Sequence, residues 1–224
     1  MTAPIVQISQ PVTLIGGGWL GRNDLRLALE RAPYLVAADS GAARALAAGH
    51  VPKAVIGDFD SLAAGERARI PHGDLFAIRE QDSTDFDKAL RNIAAPVVLG
   101  VGFLGGRADH QLAAFNTLVR RADRPCVLLG PREVVFHAPA RMQVALRPGD
   151  VVSLFPMRRV SGRSSGLQWP IDGLDLAPDG RIGTSNRALG PMTLETDGPG
   201  LLVMLPRRAL DGAMRAIAPD RGAP

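Results

Sequence analysis

The chain has 224 residues, 46% of them hydrophobic and 21% charged, with a formal net charge of +4. That length allows one large domain or two small ones with real apolar cores, and the composition excludes disorder, collagen and coiled coil. One cysteine, Cys126, excludes an internal disulfide, and no Cys/His spacing resembles a zinc site.

Residues 12–17 (VTLIGG) read as a strand, 23–32 as a helix opened by Asn23 or Asp24, and 34–39 as a second strand. A helix closed by Gly49 follows, then a strand over 54–60 (AVIGDFD) that enters a loop, and a weaker strand over 74–78. The spacing predicts a helix over 83–94 with Ser83 as its cap, a strand over 96–105, a helix over 109–122 and a strand over 125–130. Val/Ile/Leu-rich strands, each followed by an amphipathic helix, predict a parallel sheet covered on both faces. After Gly130 the pattern changes to short pieces punctuated by Gly and Pro: VVFHA, RMQVAL, DVVSLFP, RIGTS, MTLET and GLLVMLP. Their spacing predicts an antiparallel sandwich or barrel. The expected division is an α/β domain over 1–130, an all-β domain over 131–210 and a tail over 211–224, with a short terminal helix and fraying end read over 207–224.

The sequence pI near 10.1 comes from arginine, since Lys53 and Lys88 are the only lysines. The arginines are scattered, with pairs such as Arg120-Arg121 and Arg158-Arg159 but no basic run interleaved with aromatics, so neither nucleic acid nor membrane is expected as a partner. With no span-length apolar stretch and no signal-like N-terminus, a soluble cytoplasmic protein is expected.

Gly16-Gly17-Gly18-Trp19-Leu20-Gly21 satisfies G-x-G-x-x-G between a strand and a helix, and Asp39 closes the next strand where a ribose-binding acid would sit. Alone this motif reads as dinucleotide binding or as a bare tight turn. The aspartates weigh against a hydride-transfer enzyme. Asp39, Asp58, Asp60, Asp82, Asp85 and Asp109 all fall near carboxyl ends of expected strands or at the following helix starts, which share one rim in an open parallel sheet. Singly, each could be a helix cap. Two carboxylates 4 Å apart repel by roughly 4 kcal/mol at an effective dielectric of about 20, so such a group must protonate, stay solvated or hold a cation. Oxygen-only ligation points to Mg²⁺ bridging to phosphates.

Asp58 and Asp60 bracket Phe59, so on an extended segment both carboxylates point the same way. Asp85 and Lys88 share a helix face, which gives either a phosphate-binding pair or a surface ion pair. GGRADH (105–110) adds Arg107, able to fork onto a phosphate or stack on a base, and Asp109 at another strand-to-helix junction.

Taken together, ADSGA (38–42), P-x-x-x-IGDFDS (52–61), QDSTDFDKAL (81–90), GGRADH (105–110), GLQWPI (166–171) and GTSN (183–186) resemble the thiamin pyrophosphokinase family over nearly the whole chain. The resemblance implies a Rossmann-like α/β ATP-binding domain followed by an antiparallel β-sandwich that binds thiamin. It implies transfer of a pyrophosphoryl group from ATP to the thiamin hydroxyl with Mg²⁺, in a homodimer with thiamin near the subunit interface. Carried over by position, Asp58, Asp60 and Asp85 would hold Mg²⁺ and the triphosphate, and with Lys88 and Arg107 would be catalytic. Gly17, Gly18, Asp39, Ser61, Gln81, Asp82, Thr84 and Asp109 would surround the nucleotide. Trp169, Ser185 and Asn186 would form the thiamin pocket, with Trp169 stacking on a ring and the other two offering hydrogen bonds. Asp85 and Asp109 both stand as candidates to accept the hydroxyl proton.

The chain departs from the family in carrying Ala43 where Asn is frequent and Ala108 where an aromatic or larger apolar residue is frequent, both beside the nucleotide motifs. Rival readings are a dehalogenase-type phosphatase, which would want Thr at Leu62, a nicotinamide dehydrogenase, and a non-enzymatic nucleotide sensor.

Overall fold

The computed structural model describes residues 3–218. The chain divides into two compact units, one of residues 1–117 with 128–131 and one of residues 118–127 with 132–224. The first is mixed α/β and the second β-rich.

In the α/β unit the chain runs through β1 (Val6–Gln7), β2 (Val12–Ile15), α1 (Asp24–Leu29), β3 (Tyr34–Ala38), α2 (Gly41–Ala47) and β4 (Ala54–Gly57). It continues with α3 (Ala64–Arg67), β5 (Leu75–Ala77), α4 (Asp85–Arg91), β6 (Ile93–Ala94), β7 (Val98–Val101), α5 (Ala108–Arg120) and β8 (Cys126–Leu129), of which the end of α5 and the start of β8 count with the second unit. Strands β7, β2, β3, β4 and β5 lie in that order, all parallel, while β1 and β6 form a separate parallel pair. Every residue of β2, β4 and β7 is buried, as in a parallel sheet covered on both faces. Ile15 is registered with both Val101 and Ala37, and Ala38 with Ile56. The carboxyl ends of β2, β3, β4 and β7 therefore share one rim. The chain passes outward from β2 to β5 and returns beyond β2 for β7, so strand order reverses between β2 and β7, where open α/β sheets bind ligands.

Several element ends differ from expectation. The strands expected over 12–17 and 96–105 stop at Ile15 and Val101, because Gly16 and Gly102 turn the chain toward each other there. The helix expected from Ser83 starts at Asp85, capped by Thr84, whose hydroxyl accepts from the Asp87 amide at 3.2 Å. Ser83 instead donates to Glu80.

The β-rich unit comprises β9 (Glu133–His137), β10 (Arg141–Val144), β11 (Val151–Pro156), β12 (Gly162–Leu167), β13 (Gly183–Thr196), β14 (Leu201–Pro206) and α6 (Leu210–Ile217). Antiparallel pairing runs β9–β14–β11–β13, and β13 also pairs with β10 and β12. The expected separate strands RIGTS, from Gly183 onward, and MTLET are parts of the single 14-residue β13. Gly190 and Pro191 lie within it without ending it. Strand β12, GRSSGL, escaped the sequence reading because it lacks apolar alternation, and pairing with β13 makes it a strand. Residues 210–217, partly assigned to a tail, form α6, which buries Leu210, Ala213, Met214 and Ile217 and packs on β9 and β10. The rest of the expected tail, 219–224, lies outside the described residues.

Candidate active site

Asp39 follows β3 and Asp58 follows β4, so the parallel register delivers both to the carboxyl rim. One carboxylate oxygen from each of Asp39, Asp58 and Asp60 lies within 4.8 Å of the others. Phe59 is not extended, as the spacing argument assumed, but left-handed at φ 66°. That turn, costly for a non-glycine residue, is held by the Phe59 amide donating to Asp39 Oδ1 at 2.9 Å, with the Arg67 guanidinium 5.2 Å from the Phe59 ring centroid. Asp39 itself sits at φ 41°, in a region that Asp and Asn tolerate better than most residues. Gly57 is required beneath it, because a Cβ there would stand 2.7 Å from Asp39 Cβ.

Helix α4 adds the counter-charge. Lys88 is almost wholly buried and donates to Asp58 Oδ2 at 2.7 Å and to Asp85 Oδ1 at 3.2 Å. The second bond is the i,i+3 pairing expected on one helix face. Phe86 on the same helix packs against Phe103 beyond β7, ring centroids 4.4 Å apart. Arg91 reaches Glu80 at 2.6 Å and buried Asp87 at 3.6 Å, tying the Glu80–Thr84 turn to the helix.

These contacts sort the carboxyls. Burial raises the pKa of Asp39, the Asp85 and Asp58 charges add to it, and the amides of Phe59 and Ser40 offset part. Burial likewise raises Asp85, against the pull of Lys88. The Lys88 hydrogen bond lowers Asp58. For Lys88, burial pulls downward but its two carboxylate partners outweigh it and hold the ammonium above its ordinary range. Lys88 thus answers Asp58 and Asp85, leaving Asp39 a buried carboxyl without a cation of its own among these contacts.

The glycine loop flanks the strand-order reversal. The Gly18 amide donates to Gly102 O at 3.0 Å, and Gly102, at φ 79°, admits no Cβ because Gly16 O would lie 2.5 Å away. Gly17 O accepts from Arg44 Nε at 3.3 Å. Ser61 donates to Asp60 at 2.9 Å. Gln81, Asp82 and Thr84 are exposed in the turn before α4. Arg107 and Asp109 are both exposed and grip each other with two bonds of 2.6 and 3.1 Å. The Arg107 hydrogen bond lowers the Asp109 pKa, and the His110 amide and the Arg107 charge add to it. Of the six aspartates placed on the rim, Asp39, Asp58, Asp60 and Asp85 form one electrostatic group. Sequence reasoning missed Gln111, whose side chain accepts from the Gly105 amide and donates to Gly106 O, bracing the turn that carries Arg107. A glutamine one helical turn after GGR was its only signal.

In the β-rich unit, Trp169 leaves 55% of its surface exposed and Asn186 only 6%. Ser185, at φ 60°, lies where the β11–β13 register shifts, and its amide donates to Ser153 Oγ at 3.1 Å.

Two family models match the chain. Residues 25–128 match the thiamin pyrophosphokinase catalytic domain, and residues 135–201 match the thiamin pyrophosphokinase vitamin B1 binding domain. Thiamine pyrophosphokinase 1 of Arabidopsis thaliana is 31% identical over 123 residues, 48% of this chain and 46% of that protein. The aligned part thus spans about half the length of that curated relative. Thiamin pyrophosphokinase from Geobacillus thermodenitrificans superposes with a TM-score of 0.70 at 25% identity, covering 88% of this chain and 97% of the other. The Candida albicans enzyme gives a TM-score of 0.72 at 15% identity over 88% and 89%, a likeness of fold. With both family models matched in order and the carboxylate group lying within the first, the chain belongs to the thiamin pyrophosphokinase family.

Proposed function

We propose that this protein is a thiamine diphosphokinase, transferring a pyrophosphoryl group from ATP to the thiamin hydroxyl to give thiamine diphosphate and AMP. The observation that carries the reading is the Asp39–Asp58–Asp60 group, braced by Lys88, inside the catalytic-domain match. In support, Trp169 is exposed within the vitamin B1 binding match. We infer also that the α/β unit is Rossmann-like, from its parallel order, and that the β-rich unit is a sandwich, from β13 serving two sets of partners.

The donor set suits Mg²⁺: three carboxylates, no sulfur or nitrogen, with Asp39 buried and its pKa raised by that burial and by the Asp85 and Asp58 charges. Asp39, Asp58 and Asp60 would hold the ion, with Asp85 beside them on Lys88. When bound, Mg²⁺ supplies charge neutralisation on the triphosphate. The Lys88 ammonium holds Asp58 and Asp85 in place and adds positive charge beside the reacting phosphates. Arg107, exposed and held by Asp109 through Nε and one terminal nitrogen, would turn its remaining N–H groups onto a phosphate oxygen. Gly17, Gly18, Ser61, Gln81, Asp82 and Thr84 would line the nucleotide. Asp85, half-exposed beside Lys88, is open to an incoming hydroxyl and would take its proton, whereas Asp109 is committed to Arg107 with both oxygens. Positioning of hydroxyl and phosphorus supplies much of the rate.

The dehydrogenase reading loses its acid, since Asp39 is buried and bonded to the Phe59 amide. Among the described residues no helix is long and apolar enough to cross a membrane. A cytoplasmic homodimer with thiamin near its interface remains our reading from the family. Val151, Ile182 and Leu189, exposed on the β-rich unit, support a covered surface there. Light scattering at twice the 23.7 kDa chain mass would bear the dimer out, and a single-chain mass would overturn it.

Incubation with ATP, Mg²⁺ and thiamin tests the activity. Equal amounts of AMP and thiamine diphosphate are expected. ADP with thiamin monophosphate would mean ordinary kinase chemistry and defeat the assignment.

A further inference from the structure

Asn186 faces protein instead of open space. Its Oδ1 accepts from the Trp169 amide at 3.2 Å and from the Arg187 amide at 2.8 Å, and its Nδ2 donates to Trp169 O at 2.6 Å. An amide oxygen has two lone pairs, and both are taken. One side chain thus grips both backbone polar groups of a residue 17 positions earlier, which fixes the orientation of that peptide as a single bond would not.

The rest of the Trp169 loop is pinned as well. The Gln168 amide donates to Arg187 O at 2.8 Å. The Ile171 amide donates to Ser164 Oγ at 3.0 Å, and the Ser164 amide to Asp172 Oδ2 at 3.1 Å. Ile171 is buried, whereas the Trp169 ring between these anchors is left 55% exposed. A rigid backbone carrying an uncovered indole is the reverse of an ordinary loop, where the apolar ring packs and the backbone moves. The irregularity in β13 makes this possible. Thr184 and Ser185 are both exposed in succession, after which alternation resumes with Asn186 inside.

We propose that Asn186 is a positioning residue for thiamin recognition: its amide clamps the Trp169 backbone so that the indole stands preorganised to stack on the substrate, and it does not itself bind the substrate. This rests on the thiamin-binding reading of Trp169. Preorganisation removes the cost of ordering the loop at each encounter, about 0.5–1.5 kcal/mol per immobilised side chain, or up to about tenfold in affinity.

The test uses the full-length protein in a Trp19→Phe background, which leaves Trp169 as the sole tryptophan. Asn186→Ala is expected to lower Trp169 fluorescence anisotropy and raise acrylamide quenching without any ligand. It should also raise KM for thiamin about tenfold, with KM for ATP and kcat changed less than about twofold. Asn186→Ser, whose shorter side chain lacks the separate donor and acceptor atoms of the amide, replaces it if the alanine variant does not fold. With Trp169→Ala, addition of Asn186→Ala should cost nothing further in KM. Multiplying losses in that double variant would mean that Asn186 touches the substrate directly and would overturn the proposal. So would unchanged Trp169 emission alongside a raised KM. Absence of thiamin turnover in the parent protein is a separate failure, that of the pyrophosphokinase reading, and the fluorescence measurements then still decide whether Asn186 holds the loop.

Discussion

Lys88 Nζ stands 2.7 Å from Asp58 Oδ2, joining a helix to a strand-end turn 30 residues earlier in the chain. The Lys88 side chain is only 3% exposed and also holds Asp85, so it places a cation inside an otherwise acidic group. Its removal leaves two carboxylates facing each other. Lys88→Met should therefore lose roughly 3 kcal/mol of stability, as breaking a buried pair does, and at least about a hundredfold in turnover. Lys88→Arg should not rescue, because the planar guanidinium fork cannot take the place of a compact ammonium. Chemical denaturation and initial rates check both; a Lys88→Met protein with wild-type stability would show the pairs to be incidental.

The carboxylates should not behave alike without metal. Folding raises the Asp39 pKa above the ordinary aspartate value of 3.8, so the folded state binds its proton more tightly than the unfolded chain. The Asp39 contribution is most favourable below 3.8 and declines as pH rises through the folded pKa. Asn at this position keeps an acceptor for the Phe59 amide and tolerates the left-handed backbone. Asp39→Asn should flatten that decline and raise the metal-free melting temperature at neutral pH by about 2–4 °C, the shift that ~1 kcal/mol gives in a chain of this size. Turnover should nevertheless fall steeply.

Asp58 has the opposite sign. Its Lys88 bond lowers its pKa, so its stabilising contribution is present above 3.8 and is lost as pH falls through the folded value. Asp58→Asn should destabilise the metal-free protein at neutral pH while Asp39→Asn stabilises it. Thermal melts of the two variants side by side, in chelator, decide this; shifts in the same direction would contradict the charge assignment.

Gly57→Ala changes no charge. Its Cβ would lie 2.7 Å from Asp39 Cβ and 3.0 Å from Asp39 Cα, so the backbone bearing Asp39 must move. We expect a loss of about 1–3 kcal/mol, typical of overpacking, together with weaker Mg²⁺ binding by calorimetry. Unchanged metal affinity would remove Asp39 from the ligand set.

Arg107 offers a clean separation of function from stability. Its pair with Asp109 is exposed on both sides, and such pairs contribute little to folding. Arg107→Ala should leave the melting temperature unchanged and lower kcat/KM. An unaltered rate would assign the arginine to the surface.

Much of the α/β unit was legible in the residue order alone. Apolar runs such as Val12–Ile15 and Ala54–Gly57, each followed by a helical pattern, dictate buried parallel strands, and that topology puts the following aspartates on one rim. The Asp85–Lys88 pairing was legible too, since helical spacing is local. The tertiary structure decided which carboxylates meet. Asp39 joins Asp58 and Asp60 because Phe59 turns left-handed against the Asp39 carboxylate, a long-range bond that no local preference announces. It decided also that GRSSGL is a strand, since its ladder comes from β13 and not from its own side chains. Asn186 illustrates the same limit: the residue type promised a hydrogen-bonding group, but a register shift 30-odd residues from its β11 partner turned that group inward onto Trp169. Periodicity and caps are properties of neighbours in the chain, whereas the direction of a buried polar side chain is set by whichever distant backbone must be satisfied.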